Sequence, residues 1–571
     1  MDPLHALAWL SLLTAASACH DGPMTDSASD ASGDDSGGDT DSDGSHDAGR
    51  VLECAAHPLP DAAGSCIVER AGTAGTILRG TVLDGEGVLR GGEVFIDSSG
   101  TIACVDCDCS GTTGAASARV LQCGDAVISP GLVNPHDHIT YANNAPIGQG
   151  VDRYEHRHDW RKGQNGHASL HTNSGASANE VLGAELRFVM GGATAAASAG
   201  GEAALLRNLD TFGLSEGLSL PVADSDTFPL DDASGEQREL GCDYGSSPTS
   251  RASIQGHAYL PHIAEGINPA AANEFTCTGS AAGEDLMGPQ TAVIHGVGLR
   301  PPDIAAMVDA GAMLVWSPRS NVVLYGNTAP VTTMRAMGLP IALGTDWVAS
   351  GSMNMQRELQ CADTLDRDYF GDAFGDRELW QMATEHAARA VGAGEVLGVL
   401  AAGRVGDVAV FRGDAHLDHR AVIDAAPDDV VLVMRGGVPL FGDDGLLTEG
   451  FSGGSMCETL DVCGVAKRAC VARDTQGVAT LADVRAAIEA SYPLFFCDTP
   501  DDEPTCEPRR AGEYEGRPDG DRDGDGIADG DDLCPGVFDP VRPLDGGPAD
   551  ADGDGIGDAC DPCPLAEGDA C

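Results

Sequence analysis

Hydrophobic and polar positions between about residues 129 and 400 follow two alternating patterns. Short runs of β-forming residues predict strands at 128–133, 194–197, 253–260, 291–295, 312–316 and 340–344. Segments of helical periodicity predict helices at 179–190, 302–309 and 377–391. This alternation favours an α/β fold with a parallel sheet, and its length suits a (β/α)8 TIM-type barrel over 129–400. The pattern is weak over 205–250, so the sequence leaves the number of strands open.

Further strands flank the barrel segment on both sides. They are predicted at 76–83, 92–96 and 126–128 before it and at 407–411, 430–435 and 438–441 after it. We therefore expect a small β-sandwich assembled from two pieces, residues 51–128 and 401–450. A cysteine-bearing extension follows over 451–515, and an acidic repeat segment over 516–571.

The first 50 residues carry no pattern that would build a core. An apolar stretch over 4–18 ends in small residues, which predicts a signal peptide at 1–18. Residues 19–50 consist largely of Asp, Ser and Gly, which predicts a disordered tether. Small residues before Cys19 resemble a bacterial lipobox, so Cys19 is a candidate for lipidation. The alternative is an ordinary secretory signal followed by an incidental cysteine.

Net charge limits the partners of the chain. The sequence has 89 acidic and 33 basic side chains, a formal charge of −56. Such a balance excludes nucleic acid as a partner and disfavours docking on an anionic membrane surface. We expect a small-molecule substrate, and membrane contact only through an N-terminal lipid anchor.

Cysteine content indicates the compartment. Of 19 cysteines, 18 remain when Cys19 is set aside, and many are closely spaced, as at Cys104, Cys107 and Cys109. This density predicts disulfides and an exported protein, although a zinc site around Cys107 and Cys109 is the alternative. We expect the outer surface or periplasm of a bacterium, with the protein lipid-anchored or otherwise secreted.

The acidic end contains two copies of one pattern of alternating aspartates, each closed by a cysteine. Such oxygen ligands suit Ca²⁺, whereas the alternative is a disordered acidic tail. The candidate calcium ligands are Asp521, Asp523, Asp525, Asp529, Asp532, Asp550, Asp552, Asp554 and Asp558. Both copies resemble thrombospondin type 3 repeats.

Histidine and carboxylate residues stand at the ends of four predicted strands. His136 and His138 have the alternate spacing that places two imidazoles on one side of an extended segment, a half-site for zinc or iron. His262 with Glu265, then His295, then Asp346 follow other apolar runs. Taken singly, these are explained equally well by a surface loop, a core histidine or a helix cap. Their occurrence together favours one metal site at the barrel mouth.

This set resembles the amidohydrolase superfamily, in particular its aminohydrolase and chlorohydrolase branch, over about residues 76–445. The resemblance implies that His136, His138, His262 and Asp346 bind the metal. It implies catalytic roles for Glu265 as proton shuttle, His295 as the residue that polarises the substrate, and Asp346 as general base. Residues 316–321 also resemble the Pro-x-Ser-Asn loop of that family, and 403–410 its closing strand.

The resemblance implies chemistry by a metal-activated water, whose pKa falls to about 7 on a divalent ion. Family members with two metals use a carboxylated lysine, but the chain has only Lys162 and Lys467, neither well placed. We therefore expect one divalent metal, zinc in preference to iron; the alternative is a two-metal site bridged by a glutamate.

Two features depart from the family. Asp137 lies between the two histidines, where we expect it to support a ligand or face solvent. Residues 153–161 are rich in Arg and His and would lie over the mouth of the barrel. They would grip an anionic substrate group or form a salt-bridged surface loop.

The sequence thus predicts an exported metal-dependent amidohydrolase acting on a non-peptide C–N bond, of amide, lactam or amidine type. The same site chemistry also permits an ester or carbon–halogen bond. An alternative of another class is a calcium-binding surface or adhesion protein whose barrel is inactive. An inactive barrel should have lost a site residue, and none is missing. The oligomeric state is not indicated.

Overall fold

The computed structural model describes residues 49–55, 65–148, 150, 152–279 and 283–567. The chain divides into two compact units, 1–44 and 45–571, and the described residues belong to the second. The predicted signal peptide, Cys19 and all but the end of the predicted tether lie outside the described residues.

One large sheet contains strands from both flanks of the barrel segment. An antiparallel pair of strands joins the two flanks, with Val408 opposite Pro130. Two strands lie beyond residue 450, so the sheet continues into the segment assigned from sequence to the cysteine-bearing extension. The eleven strands are β1 (Arg50–Glu53), β2 (Ile67–Arg70), β3 (Gly75–Leu83), β4 (Gly87–Asp97), β5 (Ile102–Asp106), β6 (Arg119–Pro130), β15 (Val408–Phe411), β16 (Val430–Arg435), β17 (Val438–Asp443), β18 (Glu458–Val462) and β19 (Val465–Ala469).

Apolar side chains from both flanks share one core. Leu78 and Val94 from the first flank pack in the same buried cluster as Val410 and Leu432 from the second. Burial of this surface stabilises the sheet by about 25 cal/mol per Å² of apolar area. The two pieces predicted from sequence therefore fold together, although about 280 residues of chain separate them.

Eight parallel strands form two arcs between these flanks. The eight are β7 (Leu132–Asn134), β8 (Ala193–Ala196) and β9 (Arg207–Asn208) in one arc, and β10 (Asp224–Asp226), β11 (Tyr259–Ile263), β12 (Ala292–His295), β13 (Met313–Trp316) and β14 (Ile341–Leu343) in the other. Backbone hydrogen bonds connect the arcs at both junctions: Ala223 N donates to Leu209 O, and Asp346 N donates to His136 O, each at 3.0 Å. The prediction of an α/β fold with parallel strands is confirmed.

Helices follow most of these strands. The α2 helix begins at a reciprocal cap, because Ser177 Oγ accepts from Glu180 N while the Glu180 carboxylate accepts from Ser177 N. The helices are α1 (Arg157–Lys162), α2 (Ala178–Met190), α3 (Pro269–Thr278), α4 (Pro301–Ala310), α5 (Pro318–Tyr325), α6 (Val331–Ala336), α7 (Met355–Tyr369), α8 (Asp376–Met382), α9 (Glu385–Ala390), α10 (Arg420–Ile423), α11 (Asp444–Gly450), α12 (Val471–Asp474) and α13 (Leu481–Ile488).

Two predicted elements differ from the structure, and one stretch without a prediction contains strands. The strand predicted at 253–260 begins only at Tyr259, because 251–256 form turns. The helix predicted at 377–391 is broken into α8 and α9 at Thr384, whose hydroxyl donates back to Trp380 O and competes with the helical pattern. The unassigned stretch 205–250 supplies the two short strands β9 and β10.

The described residues after α13 contain no further helix or strand. They are nevertheless packed on the parallel-strand unit through specific contacts. Phe538 N donates to Tyr369 O at 2.8 Å, and Thr333 Oγ1 donates to Asp558 O at 2.9 Å. The predicted repeat segment is therefore part of the folded body and not a free tail.

Every described cysteine is disulfide-bonded. Cys107 pairs with Cys54 and Cys109 with Cys104, so the thiols are not arranged as a zinc site. The other pairs in which both cysteines are described are Cys66–Cys123, Cys242–Cys277, Cys361–Cys506, Cys457–Cys470, Cys463–Cys497 and Cys534–Cys560. Cys563 is disulfide-bonded as well. Among the described residues, no helix is both long and apolar enough to cross a membrane.

A buried ion pair joins the parallel strands to the large sheet and gives the first prediction. Arg207 on β9 donates to both carboxylate oxygens of Asp407, each at 2.9 Å, and both side chains are buried. Arg207→Met leaves the Asp407 carboxylate buried without its cation. We expect the free energy of unfolding to fall by about 3–5 kcal/mol, measured by urea denaturation.

Arg485 provides the matched control, because its pair with Glu489 is solvent-exposed. Arg485→Met should change the free energy of unfolding by about 0.5 kcal/mol or less. Equal losses in the two variants would contradict a structural role for the Arg207–Asp407 pair.

Candidate metal centre and active site

Asn134, the last residue of β7, positions the first histidine pair. Its side-chain oxygen accepts from Thr345 N at 3.2 Å and from His136 N at 3.3 Å. Its amide donates to Thr345 Oγ1 at 2.7 Å. The end of the first parallel strand is thereby fixed to the end of the last one, which places His136 beside Asp346. The sequence analysis missed this role of Asn134.

The four predicted metal ligands come together at the strand ends. His136 Nε2 and His138 Nε2 lie 3.4 and 3.6 Å from Asp346 Oδ1. The His262 ring centroid lies 4.8 Å from that of His136 and 5.5 Å from that of His138. His295 belongs to the same cluster, since donor atoms of His136, His262 and His295 all lie within 4.8 Å of one another. The structure thus brings together residues that are up to 210 positions apart in the sequence.

Three imidazoles of this cluster, those of His138, His262 and His295, are neutral, which is the state that binds a metal. Burial, with the neighbouring His136 next in effect, lowers the pKa of His138 to about 4. Burial also lowers the pKa of His295 to about 3 and that of His262 well below its usual value. Neutral imidazoles keep a free lone pair. His136 Nε2 and His262 Nδ1 are buried without a hydrogen-bond partner, as expected of atoms that face an ion.

Asp346 is held by donors from two neighbouring segments. Ser320 Oγ donates to its Oδ2 at 2.6 Å, and Trp347 N donates to its Oδ1 at 2.8 Å. Burial opposes its ionisation, but the contacts with His136 and the other histidines outweigh this and keep its pKa below the usual value. Asp346 is therefore a carboxylate at neutral pH.

Backbone strain occurs at the same strand ends. His295 has φ of 71° and Asp346 has φ of 54°, values that non-glycine residues rarely adopt. Ala264, next to Glu265, has φ of 56°. Such conformations cost about 1–3 kcal/mol each and are retained where the surrounding structure requires them. Here they occur where each strand ends and its functional side chain enters the cluster.

Glu265 is the buried carboxyl group next to the ligands. Tyr325 OH donates to its Oε1 at 2.7 Å, and His295 Nε2 lies 3.8 Å from its Oε2. Burial raises the pKa of Glu265 to about 8, although the Arg157 charge and the Tyr325 hydrogen bond oppose this. Trp160 Nε1 in turn donates to Tyr325 OH at 3.0 Å. Glu265 thus carries a proton through most of the neutral range.

Helix α5 supplies the support for three functional side chains. Its Ser320 contacts Asp346, its Asn321 Nδ2 lies 3.1 Å from His295 Nδ1, and its Tyr325 contacts Glu265. The sequence analysis singled out residues 316–321 but missed Tyr325. Asn321 and Tyr325 are four residues apart, about one helical turn. Had this segment been predicted as a helix and not as a loop, both side chains would have been expected on the same face.

The Arg- and His-rich segment 153–161 is largely a buried ionic network. Arg157 Nη2 lies 2.6 Å from Asp232 Oδ2 and 3.2 Å from Glu274 Oε1. His158 Nε2 lies 2.8 Å from Asp232, and His156 Nε2 lies 3.3 Å from Glu274. These three residues therefore have protein carboxylates as partners and are not free to bind an anion, in contrast to the solvated loop considered from sequence.

Asp137 is also buried. Thr345 Oγ1 donates to its Oδ2 at 3.1 Å, and burial raises its pKa well above the usual value. Through Thr345, Asp137 supports the strand end that carries Asp346. The sequence allowed Asp137 either to support a ligand or to face solvent, and the solvent-facing position is wrong.

An open pocket of about 400 Å³ leads to the cluster. Its walls include the aromatic rings of Tyr141, Trp160, Phe228 and Trp347, and the guanidinium of Arg161. The Trp160 and Trp347 ring centroids are 5.6 Å apart. Its functional residues are His138, His262, Glu265, His295 and Asp346. The pocket has the size and aromatic walls suited to a small organic molecule.

Both lysines lie away from this site. Lys162 is exposed on α1. Lys467 is buried in the large sheet, where its ammonium donates to Asp443 Oδ1 at 2.6 Å and to Val430 O at 2.9 Å. Neither side chain reaches the histidine cluster.

The two acidic repeats fold into matching loops. In each, the first aspartate, Asp521 or Asp550, accepts from the backbone of glycines three and five residues later, at 2.8 and 3.1 Å. The predicted ligands Asp529 and Asp558 close the loops by accepting from the backbone seven residues earlier. The predicted repeat thus has one local structure in both copies.

Carboxylates crowd together inside the first loop. Oxygens of Asp521, Asp523 and Asp525 lie within 4.8 Å of one another, as do those of Asp525, Asp532 and Asp539. Asp523 Oδ2, Asp525 Oδ2 and Asp539 Oδ1 are buried without a hydrogen-bond partner. In the second loop, the same holds for Asp552 Oδ2. The sequence analysis missed Asp539, which lies outside the repeated pattern.

Comparison with known proteins supports part of the sequence interpretation. Residues 266–441 match the amidohydrolase family model, a range that contains His295 and Asp346 but not the other ligand candidates. The prediction of an amidohydrolase family domain is thereby confirmed.

Two curated relatives share part of their length with the chain. A 5-methylthioadenosine/S-adenosylhomocysteine deaminase of Teredinibacter turnerae is 35% identical over 126 residues, 22% of this chain and 28% of that protein. An 8-oxoguanine deaminase of Pseudomonas aeruginosa is 33% identical over 161 residues, 26% of this chain and 35% of that protein. The chain therefore spans only about a third of the length of these relatives.

Among solved structures, an adenosine deaminase from Xanthomonas campestris with bound zinc is similar at 17% identity and a TM-score of 0.44. The match covers 65% of this chain and 93% of that one. The match to the amidohydrolase family covers residues 266–441 of the chain.

Proposed function

We propose that the chain is a metal-dependent hydrolase that cleaves a non-peptide C–N bond in a small molecule. The observation that carries the proposal is the convergence of four histidines, the Asp346 carboxylate and the protonated Glu265 at one end of the parallel strands. The two hydrogen bonds between the strand arcs support a closed (β/α)8 barrel, whose active site would lie at this end.

The donor set fits one divalent metal. His136, His138, His262 and Asp346 would hold it, and three imidazoles with one carboxylate favour zinc over harder cations such as Mg²⁺. When bound, such an ion supplies Lewis acidity and lowers the pKa of water to about 7. The positions of Lys162 and Lys467 support a single metal.

The side chains around the ligands have complementary proton states. Asp346 is ionised and can accept a proton from the attacking water. Glu265 is protonated and can donate one to the leaving nitrogen. His295 accepts from Asn321 at Nδ1, so its Nε2–H can stabilise negative charge on the attacked group. This division of acid and base suits amides, lactams and amidine-like centres. The two relatives named above are deaminases, which is consistent with this reaction class.

We also propose that the C-terminal loops bind Ca²⁺, as thrombospondin type 3-like repeats would. Buried carboxylate oxygens without donors are the atoms that a hard cation would satisfy. Burial, followed by repulsion from the other aspartates, raises the pKa of Asp523 to about 7 and that of Asp525 to about 6. Bound calcium would remove this electrostatic cost.

We propose export from the cytoplasm, to the outer surface or periplasm, with a lipid on Cys19. The disulfide bonding of every described cysteine supports an oxidising compartment. The lipid and the signal peptide remain predictions from sequence.

The metal prediction concerns the ligand histidines. The purified protein should contain about one equivalent of zinc or iron by elemental mass spectrometry, and the double variant His136→Ala/His138→Ala should lose it. His416→Ala is the control, because His416 is half exposed and paired with Asp424. A folded parent without metal would contradict the catalytic proposal and favour the calcium-binding surface protein. About two equivalents would contradict the single-metal proposal.

The acid–base prediction concerns Glu265. Screening amides, lactams and aminated heterocycles for ammonia or acid release gives the substrate, and Glu265→Gln should lower kcat on it by about 10²–10⁴-fold. Because the acid must be protonated, kcat should fall as pH rises through about 8. Tyr325→Phe removes a hydrogen bond that lowers the pKa of Glu265, so this decline should move to higher pH.

Tyr369→Phe is the control for Tyr325→Phe, since Tyr369 packs on the C-terminal segment. Its pH profile of kcat should match that of the parent. An unchanged profile in Tyr325→Phe, or full activity in Glu265→Gln, would be inconsistent with the assigned proton donor.

The calcium prediction follows from the raised carboxyl pKa values. A group with a raised pKa in the folded state binds more protons there than when unfolded, so its ionisation lowers stability as pH rises. In chelator, Tm should therefore fall as pH rises from about 4, the ordinary aspartate pKa, to about 7, the pKa of Asp523. Calcium at about 100 times its Kd should restore about 2.7 kcal/mol.

Asp523→Asn should weaken this response, measured by thermal unfolding with calcium and with chelator. Asp519→Asn, which changes an exposed residue of the same segment, should keep it. A parent whose Tm is the same with calcium and chelator at pH 8 would refute the calcium proposal.

A further inference from the structure

Two arginines line the pocket above the histidine cluster, and they differ in their partners. Arg157 is fully buried and its charge is balanced by Asp232 and Glu274. Arg161 is partly exposed, and among the described residues no carboxylate forms an ion pair with it. Its hydrogen bond is instead to a ring nitrogen, His158 Nδ1, at 2.7 Å.

That imidazole cannot balance the charge of Arg161, but it fixes the guanidinium. His158 Nε2 lies 2.8 Å from Asp232 Oδ2, so the Nε2–H donates to the carboxylate and Nδ1 accepts from Arg161. Burial lowers the pKa of His158 to about 4, which keeps the ring neutral. The chain Arg161–His158–Asp232 therefore holds the arginine without neutralising it.

An aromatic ring fixes the guanidinium from a second direction. The Arg161 guanidinium carbon lies 4.2 Å from the Phe228 ring centroid, a stacking distance. An arginine offers five N–H donors in one plane, and the bond to His158 occupies one of them. The remaining donors, held in place by ring and imidazole, are available on the pocket side.

We propose that Arg161 is a specificity-determining residue that binds a carboxylate substituent of a planar substrate. The fork of a guanidinium matches the two oxygens of a carboxylate. A single uncompensated cation suits one negative charge better than the double charge of a phosphate. The walls formed by Tyr141, Trp160 and Trp347 suit a flat ring in the same pocket.

This inference rests on the proposed function, because it names the substrate class of the same site. It is compatible with a strongly acidic chain, since Arg161 supplies a local positive charge in the pocket of a protein whose net charge is −56. It also explains why helix α1 carries two arginines one turn apart. Arg157 neutralises the buried carboxylates of Asp232 and Glu274, whereas Arg161 can bind the ligand.

Binding of matched probes tests the inference without requiring catalysis. Isothermal titration calorimetry compares indole-3-carboxylate with the neutral ketone 3-acetylindole, which have similar shape but differ in charge, and includes phenyl phosphate. In the full-length parent we expect the carboxylate to bind about tenfold more tightly than the ketone, and more tightly than the phosphate. In Arg161→Met the ratio of carboxylate to ketone affinity should fall to about one.

Two further variants make the result specific. Arg161→Lys keeps the charge without the fork and should give an intermediate ratio. Arg389→Met removes a positive charge from α9, where the side chain bonds Gly311 O outside the pocket, and should keep the parent ratio. Circular dichroism verifies that each variant is folded.

Equal affinity of the parent for the carboxylate and the ketone, no measurable binding of either probe, or an unchanged ratio in Arg161→Met overturns the proposal. Tighter binding of phenyl phosphate overturns the choice of carboxylate. A parent that binds the carboxylate through Arg161 but contains no transition metal and hydrolyses no C–N bond would refute the proposed function while leaving the binding site for carboxylates intact.

Discussion

The bond between the first and the last parallel strand is the constraint on which the site depends. Asn134 accepts from Thr345 N, and Asp346 N donates to His136 O. These contacts bring together residues more than 200 positions apart, so the histidine pair and the aspartate meet only in the complete fold. Loss of this register would separate His136 from Asp346, whatever the local conformation of either segment.

Burial then sets the protonation state of the histidines and of Glu265. The same desolvation that keeps His138, His262 and His295 neutral keeps Glu265 protonated, because in each case the charged form loses solvation. Asp346 alone remains ionised, since it lies against the histidines. One physical effect therefore produces both the lone pairs for a metal and a proton donor beside it.

Helix α5 holds the functional side chains in a fixed geometry. Ser320, Asn321 and Tyr325 contact three different functional side chains from one helix. Since Trp160 also donates to Tyr325, the pocket wall and the proton donor are connected. Movement of α5 would change the orientation of Asp346, His295 and Glu265 together, which makes the helix a single support for the chemistry.

The sequence predicted these strand-end residues because strand ends carry motifs that can be recognised locally. His136, His138, His262, Glu265, His295 and Asp346 each follow an apolar run, and the structure brings them together. The sequence could not predict the roles of Asn134 and Tyr325, because these roles depend on partners from distant segments. The short strands β9 and β10 were missed because two or three residues leave no period to detect. Arg161 shows the same limit, since only the positions of Asp232 and Glu274 reveal which arginine lacks a carboxylate.

Residues of the C-terminal segment also help to position the active site. Arg510 Nη1 donates to Tyr154 O at 3.2 Å and to Tyr325 O at 2.9 Å, and Arg510 Nη2 lies 2.7 Å from Glu155 Oε1. Tyr514 OH donates to Gly326 O at 3.1 Å. These contacts hold the backbone at the end of α5 and the start of the segment that carries Arg157 and Arg161. Residues after 506 thus act on the position of Tyr325, and through it on Glu265, although none of those that the structure describes lines the pocket. The acidic loops follow directly in the same segment, so their order and the order of the site are parts of one packed structure.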